Sequence, residues 1–284
     1  MSLEISENKS STMDHQAEVL DLSKTSSYYN SLSSTSTFNV SEHILIIEFN
    51  LSEQLKKISF ENPVFYVYNP LEYASEVHAK YVNKYCTTSK KILFLGMNPG
   101  PWGMSQTGVP FGEISMVRDW LKLSGVIQKP TNEHPERQIT GFDCKRSEIS
   151  GKRFWSLMQE LYGIPENLFR FAYVHNYCPI ALMDKSGRNI TPPELKGNKQ
   201  QKALYDFCDK ALVDIIRLLN IEVIVGIGRF AEKRAEIVAK SNNLEIKTLY
   251  IPHPSPRAVG NQNWSDKAKY MLQEYGFLHL LVND

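Results

Sequence analysis

Apolar residues are grouped along this chain in two rhythms. Short continuous runs rich in Ile, Val, Leu, Phe and Tyr occur at 92–97, 169–175, 222–228 and 247–251. Runs of that length suit buried strands and are too short for buried helices. Between them, apolar positions recur every three or four residues at 71–86, 154–161, 200–219, 230–240 and 265–275, and Ile114, Val117 and Leu121 add another helical stretch. Strands alternating with helices predict right-handed crossovers and a three-layer α/β/α fold around a four-stranded parallel sheet. The run 58–70 reads as a lead-in that packs on the domain. Thr191-Pro192-Pro193-Glu194 carries the signature of a capping box with proline at the first helical position.

The two ends of this pattern differ in character. Residues 1–42 are polar and serine-rich, with too few apolar side chains to offset the entropy of ordering, and predict a disordered acidic tail. The apolar run 44–49 marks entry to a domain spanning 43–284. Within that domain, 124–151 shows no rhythm and holds Pro130, Pro135 and Gly141, which predicts a long irregular segment. It runs into a stretch with Lys145, Arg146, Lys152 and Arg153 set among serines. Such a stretch reads either as a phosphate contact or as a solvated surface loop.

Composition narrows the class without naming it. A chain of 284 residues with 42% hydrophobic and 22% charged residues can bury a sizeable core. The net charge of +1 is unevenly placed: the tail up to His43 carries −4, leaving +5 for the rest. Cys86, Cys144, Cys178 and Cys208 have no paired spacing, so neither zinc nor an iron–sulfur cluster is expected, and no metal or cofactor is called for. No signal peptide or membrane-spanning run is evident, so a soluble intracellular protein with no membrane partner is expected.

The chemistry gathers where the strands end. The first strand opens into Asn98-Pro99-Gly100-Pro101-Trp102-Gly103, whose prolines and glycines forbid regular structure. No Gly-Lys-Ser/Thr and no Gly-x-Gly-x-x-Gly accompanies it, so phosphate cradling is disfavoured. The loop and the residues just beyond it offer an amide (Asn98), a sulfur (Met104), an aromatic face (Phe111) and close backbone approach at Gly100, a set suited to a flat, polar, uncharged ring. Asn98, Asn176, Arg229 and His253 each lie closely after a strand and so belong at one carboxyl edge, where open α/β sheets bind ligands. Singly, Asn98 and Asn176 read as turn residues and His253 as a structural histidine. Together, in rigid frames, they point to a site.

These residues also carry a family resemblance. Gly96-Met97-Asn98-Pro99-Gly100, Gln106-Thr107-Gly108-Val109-Pro110-Phe111-Gly112 and His253-Pro254-Ser255-Pro256-Arg257 resemble the active-site motifs of the single-strand-selective monofunctional uracil-DNA glycosylases. His175-Asn176-Tyr177-Cys178-Pro179 and Gly187-Arg188-Asn189-Ile190-Thr191-Pro192 are similar to the segments between them. The likeness runs from roughly residue 60 to the end of the sequence.

The resemblance implies a cofactor-independent enzyme, expected to be a monomer. It would cleave the N-glycosidic bond of uracil and C5-oxidised uracils in single- and double-stranded DNA, leave an abasic site and begin base-excision repair. A nuclear enzyme is implied, although the tail lacks a strong basic cluster. By the same likeness His253 donates to uracil O2, Asn98 positions the attacking water, Asn176 reads the N3–H and O4 edge, and Phe111 stacks on the flipped ring. Gly100 and Met104 line the C5 side. Ser255, Arg257, Ala258, Val259, Gly260, Asn261, Gln262 and Asn263 fall on the DNA-contacting wedge. The wedge departs from the family pattern: it is about a residue shorter and lacks the usual proline and lysine. The alternative is a catalytically weak or inactive DNA- or nucleotide-binding protein of the same fold.

Overall fold

Every side chain of Ile92–Gly96 (β2) is buried, as expected of a strand covered on both faces. In the computed structural model, which describes residues 39–196, 199–256 and 261–277, β2 lies inside a parallel sheet. Its neighbours are Ala172–Asn176 (β3) on one side and Val223–Ile227 (β6) on the other, with Lys247–Ile251 (β7) beyond β6. The order is β3-β2-β6-β7, all parallel. The fourth strand spans the residues its apolar run predicted, and the other three fall within a few residues of theirs.

The path steps from β2 one way to β3, then back past β2 to β6 and on to β7. Right-handed crossovers therefore set Ile149–Tyr162 (α5) on one face and Lys199–Leu219 (α7) with Arg229–Ser241 (α8) on the other. Trp264–Glu274 (α9) packs beside α5, and Val40–Leu55 (α1) lies along α7. An aromatic core joins the layers: Tyr81 stacks on Tyr173 at 5.4 Å and Tyr85 on Phe169 at 4.1 Å.

Several elements depart from the pattern. Helix α1 begins at Val40, ahead of the expected boundary at 43, because the Asn39 side chain accepts from the Ser41 amide and caps it. The tail as far as residue 38 lies outside the described residues. The helix expected over 71–86 is broken at Ala74 into Pro70–Tyr73 (α2) and Ser75–Tyr85 (α3). The stretch around Val117 widens into a single π turn, Met116–Trp120. Helix α5 starts inside the segment expected to be irregular, so Lys152 and Arg153 are helical while Lys145 and Arg146 stay on the loop. The capping box at Thr191 forms, on a short 3-10 turn at Pro192–Leu195.

The lead-in contributes a strand that its pattern did not predict. Tyr66–Tyr68 (β1) pairs antiparallel with Ala181–Met183 (β4), which pairs with Asn189–Ile190 (β5), making a second, three-stranded sheet. Among the described residues, no helix is long and apolar enough to cross a membrane.

Candidate active site

The ladder between β2 and β3 sets Gly96 opposite Asn176. It continues past both strands, the Tyr177 amide donating to the Gly96 carbonyl at 3.0 Å and the Cys178 amide to the Met97 carbonyl at 2.8 Å. This rung holds the loop bearing Asn98 against the end of β3. Gly96 is required here: a Cβ would fall 2.2 Å from Asn176 Oδ1 and 2.7 Å from the Phe111 ring. Its missing side chain lets those two groups meet over the strand end. Phe111, held at a φ of 53°, packs its ring 4.8 Å from Phe154 and 6.3 Å from His253.

Asn176 is 4% exposed and donates from Nδ2 to the Met104 sulfur at 3.2 Å. Met104 begins the one-turn helix Met104–Thr107 (α4), and Gln106 and Thr107, also buried, fix that turn. Gln106 donates to the carbonyls of Pro101 and Gln138 and accepts from the amides of Thr140 and Gly141, fastening the irregular segment to the site loop. Gly100 is occupied on its open side by Glu148, whose carboxylate a Cβ there would meet at 2.4 Å. The Trp102 amide donates to the same carboxylate at 3.3 Å.

His253 arrives from the far side of the sheet, just after β7. Its Nδ1 accepts from the Ser255 amide at 3.1 Å, which leaves the ring proton on Nε2. Burial pushes its pKa down to about 4, so the ring is a neutral donor near neutrality. The motif is stapled in place: Asn261 donates to the carbonyls of His253 (2.8 Å) and Ser255 (2.7 Å), Arg153 to those of Pro254 and Asn261, and Trp264 to that of Pro252.

Three of the four residues expected to share the carboxyl edge do so, Asn98, Asn176 and His253, with Phe111 and Met104 beside them. Arg229, expected at the same edge, pairs with Glu232 and lies 3.7 Å over the Tyr250 ring. Asn261 is corrected from wedge to staple, because it is 6% exposed and both hydrogens of its amide nitrogen go to the backbone. Ser255 orients the imidazole through its backbone. Gln262 and Asn263 are exposed in the turn ahead of α9, whereas Arg257, Ala258, Val259 and Gly260 lie outside the described residues. Lys152 and Arg153 line a cavity of about 330 Å³ with Ser156, Gln262, Trp264 and Ser265, directly beside the stapled motif.

Three features of the site have no clear signal in the sequence. Asn98 donates from Nδ2 to Asn189 Oδ1 at 3.3 Å. Glu148 fills the space over Gly100. The third is a buried network in which His78 donates to Glu48 at 2.7 Å and to the Gly108 carbonyl at 2.8 Å, while His175 lies 3.5 Å from the other Glu48 oxygen. Burial opposes both charges of the Glu48–His78 pair, but mutual attraction holds the glutamate pKa down and the His78 pKa up. The pair ties α1 to the loop that carries Phe111. A histidine at 78 with its carboxylate thirty positions upstream leaves no local pattern to detect.

A four-stranded parallel sheet, helices on both faces, and an amide, a second amide and a neutral imidazole at its carboxyl edge define a class. A model described as the Uracil DNA glycosylase superfamily matches residues 83–275, and the chain belongs to that superfamily. Its similarity is more particular than that. The chain is 48% identical over 246 residues to the single-strand selective monofunctional uracil DNA glycosylase of Bos taurus, covering 86% of this chain and 90% of that protein. It is 45% identical over 249 residues to the protein of the same name from Mus musculus, covering 87% and 89%. The crystal structure of wild-type SMUG2 from Pedobacter heparinus shares the fold, with a TM-score of 0.59 at 16% identity over 86% of this chain and all of that one.

Proposed function

We propose that this chain hydrolyses the N-glycosidic bond of uracil, and of uracils oxidised at C5 such as 5-hydroxymethyluracil, in single- and double-stranded DNA. It leaves an abasic site and thereby opens base-excision repair, acting as a nuclear monomer. The observation that carries this reading is the neutral His253. Cleavage sends the C1′–N1 electron pair onto uracil, and a donor aimed at the departing base stabilises that charge where it develops. The backbone-fixed tautomer places the ring proton of His253 on Nε2, where it can be donated to the departing base.

The other residues divide the remaining work. Asn98 orients water toward C1′ through its carbonyl oxygen, since an amide cannot act as a strong base. Asn176 accepts from N3–H and donates to O4, a pattern that cytosine reverses at both positions. Phe111, braced by Phe154, supplies the stacking face for a base taken out of the helix. Because Glu148 stands over Gly100, a carboxylate borders that part of the loop, and a C5 hydroxymethyl group brings a donor suited to it.

The deciding experiment is release of base from a uracil-containing oligonucleotide, single-stranded and duplex, by wild type, Asn98→Ala and His253→Ala. We expect wild-type release with an intact abasic strand and severe loss in both variants. Binding without release by the wild type would leave the inactive alternative standing.

A further inference from the structure

From the contact between the two amides we infer that Asn189 is a positioning residue for Asn98, setting which end of the Asn98 amide faces the reacting water; this inference rests on the proposed glycosylase reading. An asparagine side chain has two nearly isosteric orientations, and only one presents an acceptor to water. Asn98 Nδ2 donates to Asn189 Oδ1 at 3.3 Å. With the NH₂ end drawn to Asn189, Oδ1 is the end left toward the site. With the Asn189 amide as it stands, a reversed Asn98 amide would set two carbonyl oxygens against each other.

The small antiparallel sheet gives Asn189 its own fixed address. Asn189 stands in β5 opposite Met183 of β4. Just before it, Asp184 closes a tight turn by accepting from the amides of Ser186 and Arg188 and from the Ser186 hydroxyl, with Gly187 at a φ of 75°. Just after it, Glu194 accepts from the Thr191 amide at 2.7 Å. Arg188 bridges the two clamps, reaching Asp184 at 3.0 Å and Glu194 at 2.6 Å. A residue held between two turns by a common guanidinium is a stiff support. This gives the second sheet a purpose that the four-stranded sheet does not supply.

The consequence is kinetic. Losing one neutral hydrogen bond releases Asn98 to sample the unproductive orientation, which slows the chemical step by about three- to tenfold. Binding of DNA is left alone. The test is single-turnover release of uracil, with binding measured separately, for wild type, Asn189→Leu and Asn189→Asp, each also in the Asn98→Ala background. Leucine removes the acceptor and keeps the bulk; aspartate keeps an oxygen for Asn98 Nδ2.

We expect N189L to lose that factor in the chemical step with unchanged affinity, and N189D to stay near or above the wild-type rate. In the Asn98→Ala background N189L should cost nothing further, because Asn189 acts only through Asn98. Equal loss in both backgrounds, equal loss by N189L and N189D, or no loss at all would overturn the inference while leaving the glycosylase reading intact. The N189L–N189D contrast decides the matter even where Asn98→Ala leaves no measurable rate. Absence of release by the wild type itself would overturn the glycosylase reading, and the inference with it.

Discussion

Acidification should destabilise this protein through His253 by an amount that can be isolated. The imidazole accepts from the Ser255 amide at Nδ1 and lies largely out of water, so its folded-state pKa falls to about 4. In an unfolded chain it returns to about 6.5. The unfolded state therefore takes up the proton first as pH drops. Stability is fully present above about pH 6.5 and is lost as pH falls toward 4. A gap from 6.5 to about 4 corresponds to about 3 kcal/mol. His253 keeps partial contact with solvent, which screens the penalty, so about 2 kcal/mol is the working figure. The measurement is the urea midpoint and slope between pH 7.5 and 4 for wild type and His253→Gln. The wild type should lose about 2 kcal/mol more than the variant over that interval. The Glu48–His78 pair titrates in both proteins and cancels in the difference. Parallel profiles would refute the reasoning, as would an NMR titration of the His253 ring centred near its ordinary value.

Three further outcomes are expected from the geometry. Gly96→Ala drives a methyl into Asn176 Oδ1 and the Phe111 ring, so uracil release should fall on the order of a hundredfold while stability drops by about 1–3 kcal/mol, read by single-turnover rates and urea unfolding. Asn176→Asp should weaken uracil excision and relax the exclusion of cytosine, measured on matched oligonucleotides; unchanged uracil activity with cytosine still ignored would make Asn176 a turn residue. Lys152→Glu, at the exposed lip of the cavity beside the His253 motif, should weaken DNA binding and reduce the salt dependence of affinity by about one unit of slope, leaving single-turnover release unaffected at saturation.

The sequence made the main sheet legible because a strand buried on both faces reads as a largely apolar run, as β2, β3 and β6 do, while the edge strand β7 keeps only its Leu-Tyr-Ile end apolar and is buried only at Ile251. From their ends, Asn98, Asn176 and His253 could be placed by topology alone. The second sheet was not legible, since β4 has three residues and β5 two, too few to show any alternation. Asn189 stands within a recognisable motif, yet nothing in sequence says that its amide meets Asn98. Arg229 shows the limit of edge reasoning: position at a strand end does not fix where a long side chain turns, and a glutamate three residues on captured it. Asn261 shows another. A polar residue in a loop read as DNA-facing is instead consumed by backbone carbonyls, which periodicity cannot foresee.

The strand order has a consequence in time. The residues that would handle the base come from β3 and β2 at one side of the sheet and from the end of β7 at the other, with β6 between them. During synthesis Asn98 emerges early and His253 late, and the imidazole gains its orientation only when Asn261 and Trp264 have emerged after it. Long-range parallel pairing is slow to form and leaves sheet edges exposed until it completes. A nascent chain halted after β6 would already hold the ladder between β2 and β3, with the Asn98 loop and Asn176 side by side, and still lack the imidazole proposed to stabilise the departing base. Such a fragment has an edge at β6 waiting for its partner strand, and its hazard to the cell is aggregation rather than untimely removal of bases.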